Sequence, residues 1–252
     1  MKIAVITGAS SGMGREFVLQ LDREESFDEL WLIARRKEGL EEIGKETRAK
    51  VRAIPLDLTD MKSIEEYKNL LAEENPEIAV LVNASGYGKF GKFEDMKLED
   101  LMGMIDLNDK ALVAVTYVSL PYLREGSRIY EVGSLSSFQP VPYINVYGAS
   151  KAFVLSFTRA LNVEWKKRGI RAMAVCPGWV KTAFFDRAVT DDTITYYNRF
   201  YTAEEVVTRA LRDMKRGKDI SICGFPVRAQ VFATKMLPHR LIMKIWCKQQ
   251  KK

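Results

Sequence analysis

The sequence predicts an α/β protein built on a parallel sheet of about seven strands, doubly wound with helices on both faces. Two observations carry this. Short apolar runs rich in Val, Ile and Ala recur along the chain, and charged amphipathic stretches of helical length separate them. Several runs are continuously hydrophobic, as parallel strands covered on both faces should be. With 252 residues and no linker, repeat or low-complexity segment before Phe225, residues 1–252 read as a single domain.

The first run, Ile3–Thr7, passes into Thr7-Gly8-Ala9-Ser10-Ser11-Gly12-Met13-Gly14 and then a helix. Glycines permit a tight turn close to a pyrophosphate, and a helix N-terminus offers free N–H groups and the positive end of its dipole. Glycine turns after strands are common; this one gains weight from heading a βαβ series. The second run, Leu30–Ala34, ends with Ala34 where an NAD-binding chain carries an acid for the ribose 2′-hydroxyl, and Arg35 and Arg36 follow. Two planar guanidinium groups suit a 2′-phosphate, which points to NADP(H). The competing role for the pair is to cap a solvated strand end. The third run, Val51–Leu56, precedes Asp57-Leu58, with Asp57 also placed to cap a helix beginning near Asp60. The fourth, Ile78–Val82, runs into Asn83-Ala84-Ser85-Gly86.

A long apolar helix follows from Leu98 to roughly Leu120, containing Ile105-Asp106-Leu107-Asn108 and ended by Pro121. The fifth run, Arg128–Val132, leads to Gly133-Ser134. A second long helix spans Asn145 to Arg168, stopped by Gly169 after a basic last turn. Both helices carry more apolar surface than one sheet face needs, so a homodimer or homotetramer contact is expected rather than simple deep burial. Tyr147 and Lys151 stand four residues apart near the start of the second helix, hence on one face. Reducing a ketone requires a hydride donor, a proton donor beside the oxygen and a group to meet the developing charge. Tyr147 is the proton donor, and the nearby ammonium is expected to lower its pKa. A hydroxyl at the strand end could hold the substrate oxygen, and Ser134 stands there, with Ser136 and Ser137 as competitors past the strand end. The sixth run, Ile170–Cys176, turns at Pro177-Gly178 into Trp179-Val180-Lys181-Thr182, where Thr182 can cap a helix.

In order and spacing these motifs resemble the short-chain dehydrogenase/reductase family, over nearly all of residues 1–224. The resemblance implies a Rossmann-type sheet, a nicotinamide cofactor and a catalytic set of Asn108, Ser134, Tyr147 and Lys151. It assigns the cofactor's phosphates to the glycine loop, Gly8 through Gly14, with Arg35 singled out for the 2′-phosphate and Ser10 as helper. Asp57-Leu58 matches the adenine-binding pair. Asn83, Ala84 and Gly86 match the segment that lines the cofactor and stiffens the sheet, Ser85 replacing a commoner alanine. Lys151 would also bind the nicotinamide ribose, and Asn108 would hold a water linking Lys151 to solvent. The backbone at Pro177, Gly178 and Val180 would bind the carboxamide, and Thr182 would touch carboxamide or phosphate. The implied activity is an NADP(H)-dependent ketone reductase or secondary-alcohol dehydrogenase. A nucleotide-binding scaffold without turnover would be expected to lack one of the four catalytic residues, and none is missing.

Residues 183–202, which would cover the substrate, are dense in aromatics, including Phe184 and Phe185, and Phe138 and Tyr143 flank the catalytic loop. A mobile apolar lid is expected, and with it a hydrophobic substrate such as a steroid, acyl chain or aryl ketone. Residues 225–252 read as two short helices, Val227–Leu237 and His239–Gln249, carrying seven basic residues and no acidic one. The rest of the chain, with 32 basic and 33 acidic residues, is near neutral. A nucleic-acid binder carries its basic residues along a folded face, which argues against one here. The tail resembles the basic, amphipathic extensions of a subset of bacterial members of the family. The tail either packs near the active site, contacts another subunit or lies on anionic lipid, the first two being favoured. Three scattered cysteines and the single His239 offer no metal-ligand spacing, and the cysteine usage and absence of a leader fit a reducing cytoplasm.

Overall fold

A computed structural model describes residues 1–189 and 191–252; position 190, within the expected lid, lies outside the described residues. The apolar runs form strands β1 (Lys2–Thr7), β2 (Glu29–Ala34), β3 (Lys50–Pro55), β4 (Glu77–Asn83), β5 (Leu123–Val132) and β6 (Arg171–Val175). After them come β7 (Trp179–Val180), β8 (Phe200–Tyr201) and β9 (Ile220–Ser221). Seven strands make one parallel sheet in the order β3-β2-β1-β4-β5-β6-β9, and β7 and β8 pair separately.

Alternate residues of each strand feed opposite cores. Ala4, Ile6, Leu30, Leu32, Val80 and Val82 pack against α1 (Gly12–Glu24), α2 (Lys37–Gly44) and α8 (Ala203–Lys215). Ile3, Val5, Trp31, Ile33, Ile78 and Leu81 meet α3 (Met61–Glu74), α5 (Ala111–Ser119) and the end of α6 (Asn145–Glu164). The order reverses between β1 and β4, so the crevice for a ligand opens beyond the C-terminal ends of these two strands.

The long apolar helix is not continuous. It comprises α4 (Leu98–Ile105), a π-helical turn over Asp106–Lys110 and α5, with Asn108 inside the turn. π turns of this kind concentrate at functional sites. Strand β5 starts earlier than its apolar run suggests, because Leu123 pairs with Ile78 and the ladder resumes at Val80–Arg128. The residues between bulge out, and the Ser127 hydroxyl donates to the Ile78 carbonyl at 2.7 Å. Leu98, Met102, Ile105 and Tyr117 on the long helix, with Phe153 and Val163 on α6, stay exposed.

The remaining helices are α7 (Phe185–Ala188), α9 (Phe225–Met236) and α10 (His239–Gln249). Val227 and Val231 set α9 against the body. Among the described residues, no helix is long and apolar enough to cross a membrane.

Candidate active site

The glycine loop joins β1 to α1 at the order reversal. Gly8 and Gly12 have φ of 64° and 55°, in the left-handed region that side chains disfavour. A Cβ at Gly14 would run into the Gly8 carbonyl, so the loop can fold back on itself only with glycine there. Ser11 is the N-cap of α1 but makes no side-chain cap bond, leaving the first N–H groups for a ligand. Thr7 Oγ1 accepts from the N–H groups of Ala84 and Ser85 at 3.1 Å each, which locks the loop after β4 beside the glycine turn.

Across this crevice, a Cβ on Gly86 would stand 2.9 Å from Asn108 Oδ1 and 3.3 Å from Lys151 Nζ. Its absence keeps a slot open directly above the lysine. At the far end, the Gly12 position faces the Thr182 side chain, bringing the glycine loop and the turn after β6 together. Arg35 and Arg36 are exposed at the end of β2, and among the described residues neither forms an ion pair. Arg35 is close enough to Asp57 to help lower its pKa; burial opposes that and bonds from Thr59 add to it. An uncapped helix start and a slot without side chains together fit a dinucleotide's pyrophosphate.

One expectation on this side changes. Asp57 does not cap α3: it accepts from the Thr59 amide and hydroxyl at 3.0 and 2.7 Å, and Asp60 caps the helix by accepting from Lys62 N at 2.9 Å. In the Asn108 side chain Oδ1 accepts from Tyr87 N and Nδ2 donates to Tyr87 O and Ser150 Oγ, each at 3.0 Å. It works as a clamp on the loop after β4.

The chemistry-bearing groups meet where β5 ends and α6 begins. Ser134 follows the strand and Tyr147 stands on the first turn of α6, both lining one cavity. Of the competing serines, Ser137 is buried and committed, donating to the Lys151 carbonyl at 2.6 Å and accepting from Ser134 N at 3.1 Å. Ser136 lines the cavity with its hydroxyl unpartnered. Lys151 is buried, its Nζ donating to the Val132 carbonyl at 2.8 Å and lying 5.8 Å from the Tyr147 ring centre.

The expected lowering of the tyrosine pKa does not occur here. Burial pushes Tyr147 up to about 12, with the Ser134 hydroxyl opposing the rise, so the phenol is protonated at neutral pH. Burial also brings Lys151 down to about 8, against the pull of Asp109, Cys176 and Glu131. Desolvation outweighs the mutual attraction because the ammonium is already bonded to a carbonyl rather than aimed at the phenol oxygen.

The cavity has a volume of about 310 Å³, within the size range of small-molecule sites. The aromatic residues expected to line it do not. Phe184 packs behind Tyr147 at 5.6 Å between ring centres, and Phe185 packs at an angle against Trp179 and edge-on against Phe200, at 5.7 and 5.2 Å. Phe138 lies under the Lys235 ammonium, and Tyr143, at φ 67°, spends its carbonyl on Gly91 N. The walls are instead Phe90, Val141, Ile144, Trp179 and Tyr196, closed by Leu237, Ile242 and Trp246 of the C-terminal extension. Phe184 and Phe185 sit one layer back because Trp179 and Tyr147 take the inner positions.

Sequence reasoning passed over Glu131. It is fully buried in β5, where Oε1 accepts from Asn83 Nδ2 and Thr116 Oγ1 at 3.1 Å each and Oε2 has no partner. Burial lifts it to about 8 despite bonds from Asn83 and Thr116 and the charge of Lys151. A carboxylate between Tyr130 and Val132, at the apolar end of the strand, was the available signal. The tail packs near the active site, one of its two favoured placements, and Trp246 is the residue it contributes to the cavity wall.

Comparison with known proteins agrees with this geometry. The short chain dehydrogenase family model matches residues 2–193. Sulfoacetaldehyde reductase 2 of Chromohalobacter salexigens is 37% identical over 188 residues, covering 72% of this chain and 74% of that protein. A short-chain dehydrogenase from Sphingobium yanoikuyae, solved with NADPH, superposes with a TM-score of 0.79 at 28% identity over 94% of both chains. The bulky-bulky ketone specific alcohol dehydrogenase of Comamonas testosteroni gives 0.72 at 26% identity, over 88% of this chain and 86% of that one.

Proposed function

This chain belongs to the short-chain dehydrogenase family of oxidoreductases, and from that premise we propose that it is an NADP(H)-dependent ketone reductase, working on a bulky uncharged substrate. One observation carries the substrate class: among the described residues, no charged side chain lines the cavity that presents Ser134 and Tyr147. A small anionic aldehyde, of the kind the Chromohalobacter relative is named for, would call for a cation there. An apolar wall rewards a large hydrophobic body instead. The name of the Comamonas relative points the same way. Ser136 Oγ and Gln139 Oε1, buried without partners, are polar atoms available to a neutral group on the substrate.

The cofactor choice rests on Arg35 and Arg36 beside Ala34, and the Sphingobium relative, solved with NADPH, supports it. When bound along the slot at Gly86, the cofactor supplies a hydride to the carbonyl carbon. The chain's own residues handle the oxygen. The Ser134 hydroxyl, which accepts from Ser136 N at 3.2 Å, still has its proton to donate to the carbonyl oxygen. Tyr147, protonated at neutral pH, transfers its proton to that oxygen as charge develops, giving the secondary alcohol. Lys151 keeps a positive group beneath the resulting phenolate. The exposed apolar residues on α4, α5 and α6 support assembly as a homo-oligomer.

The test is a panel of hydroxysteroids, acyl thioesters, aryl ketones and sulfoacetaldehyde, followed by NADPH absorbance. Turnover of the bulky neutral ketones is expected. Turnover of sulfoacetaldehyde alone would overturn the substrate class.

A further inference from the structure

We propose that α9 and α10 dock this protein on an anionic lipid bilayer, with the mouth of the substrate cavity at the membrane face. The argument begins with α9. Val227, Val231 and Thr234 face the body and are buried. On the opposite side Phe225, Phe232 and Met236, spaced seven and four residues apart, form one stripe and are 75%, 68% and 69% exposed. Arg228 and Lys235 flank it. Helix α10 repeats the arrangement: Ile242 is buried, Leu241 and Ile245 are exposed, and Lys244 and Lys248 stand beside them. Leu237 and Ile245 are both exposed and part of the cavity wall, so the apolar surface runs continuously to the cavity's rim.

Charge decides between occupants. Residues 225–252 carry seven basic side chains and no acidic one, while the rest of the chain is near neutral. Among the described residues, none of the seven takes part in an ion pair. A second copy meeting this face across a two-fold axis would set like charges against each other. A purely polyanionic partner would leave the Phe and Met stripe uncovered. An anionic bilayer satisfies both features, burying the stripe at the level of the headgroups while the lysines and arginines reach the phosphates. The helices would lie on the membrane, since neither can span it. A lipophilic ketone could then pass from bilayer to cavity without crossing water; that consequence rests on the substrate reading above, whereas the docking does not.

The experiment is co-sedimentation of the full chain with vesicles of phosphatidylcholine alone or mixed with phosphatidylglycerol, at low and high salt. The wild type should pellet with the mixed vesicles, little with neutral ones, and less as salt rises. Lys244→Glu/Lys248→Glu should lower the partition coefficient at least about thirty-fold. Phe232→Ser/Met236→Ser should lower it without changing the melting temperature, because neither side chain is in the core. Equal binding to both vesicle types, or wild-type binding by both variants, would overturn the proposal. So would a Phe232→Ser/Met236→Ser protein that changes from dimer to monomer in size exclusion while vesicle binding stays the same, assigning the face to a second copy. Sedimentation reads no turnover, so its failure and the failure of the ketone assays are distinguishable.

Discussion

Trp246 donates its indole N–H to the Pro142 carbonyl at 3.0 Å, fastening the C-terminal helix to the loop that leads into α6. The same ring stacks on Trp179 with 6.5 Å between centres. Four residues on, Gln250 Oε1 accepts from Thr195 N and Tyr196 N at 2.9 Å each, and its amide donates to Tyr196 O at 3.2 Å. The extension and the segment after α7 therefore form one wall of the cavity. Trp246→Ala should raise KM for a bulky ketone about thirty-fold, the worth of one large buried aromatic contact. It should leave KM for NADPH unchanged and kcat within about three-fold, because the ring touches neither the cofactor slot nor the reacting oxygen. A loss confined to kcat would show that the wall acts on the chemistry instead.

Tyr147→Phe removes only the hydroxyl. The ring remains to pack against Phe90 and Phe184, so the fold and the cofactor slot should persist. Steady-state turnover is expected to fall by about 10² to 10⁴ or more, the span of a general acid. NADPH binding, read by fluorescence titration, should change by less than about three-fold. Wild-type turnover in this variant would end the proton-donor assignment. Ser134→Ala should also lose turnover, by a smaller factor, since the tyrosine proton remains available.

Arg35→Ala tests the cofactor choice. A charge-assisted bond to a phosphate contributes about 1.5–3 kcal/mol, so NADPH should bind about ten- to a hundred-fold more weakly. NADH lacks the 2′-phosphate and should lose less than about three-fold. Equal losses would mean that Arg35 serves the strand end rather than the cofactor.

The parts of the site that were legible in the sequence are those that chemistry ties to local spacing. Tyr147 and Lys151 must share a helix face, so they fall four residues apart. Gly8, Gly12 and Gly14 must form one turn, so they fall within seven residues. The substrate wall obeys no such rule. Val141, Trp179, Tyr196, Leu237 and Trp246 meet only because α10 folds back over the sheet's C-terminal end. Aromatic density drew attention to Phe184 and Phe185, which support the wall from behind. The π turn was invisible for a different reason: Leu98 to Ser119 keeps a helical pattern throughout, and one extra residue per turn barely disturbs it.

Glu131 couples the site to stability, and the direction can be worked out. Burial raises its folded pKa to about 8 from an ordinary 4.5, so between those values the folded state holds a proton that the unfolded chain has released. Its contribution is complete below about pH 4.5 and is lost as pH climbs through 8. Lys151 acts oppositely: its folded pKa of about 8 lies below the ordinary 10.5, so it costs stability below pH 8 and that cost fades towards pH 10.5. Of these two groups, Glu131 therefore sets the slope between pH 5 and 7, where the lysine is charged in both states. Glu131→Gln keeps an acceptor for Asn83 Nδ2 and Thr116 Oγ1 and removes the titration. Relative to this variant, the wild type should lose on the order of 1–3 kcal/mol between pH 5.5 and 8, measured by urea unfolding at each pH. The loss belongs to the buried carboxyl, since the exposed charges are shared by both proteins. Parallel stability curves for the two would show that Glu131 is ionised in the fold throughout this range, and that Lys151, not a proton, balances it.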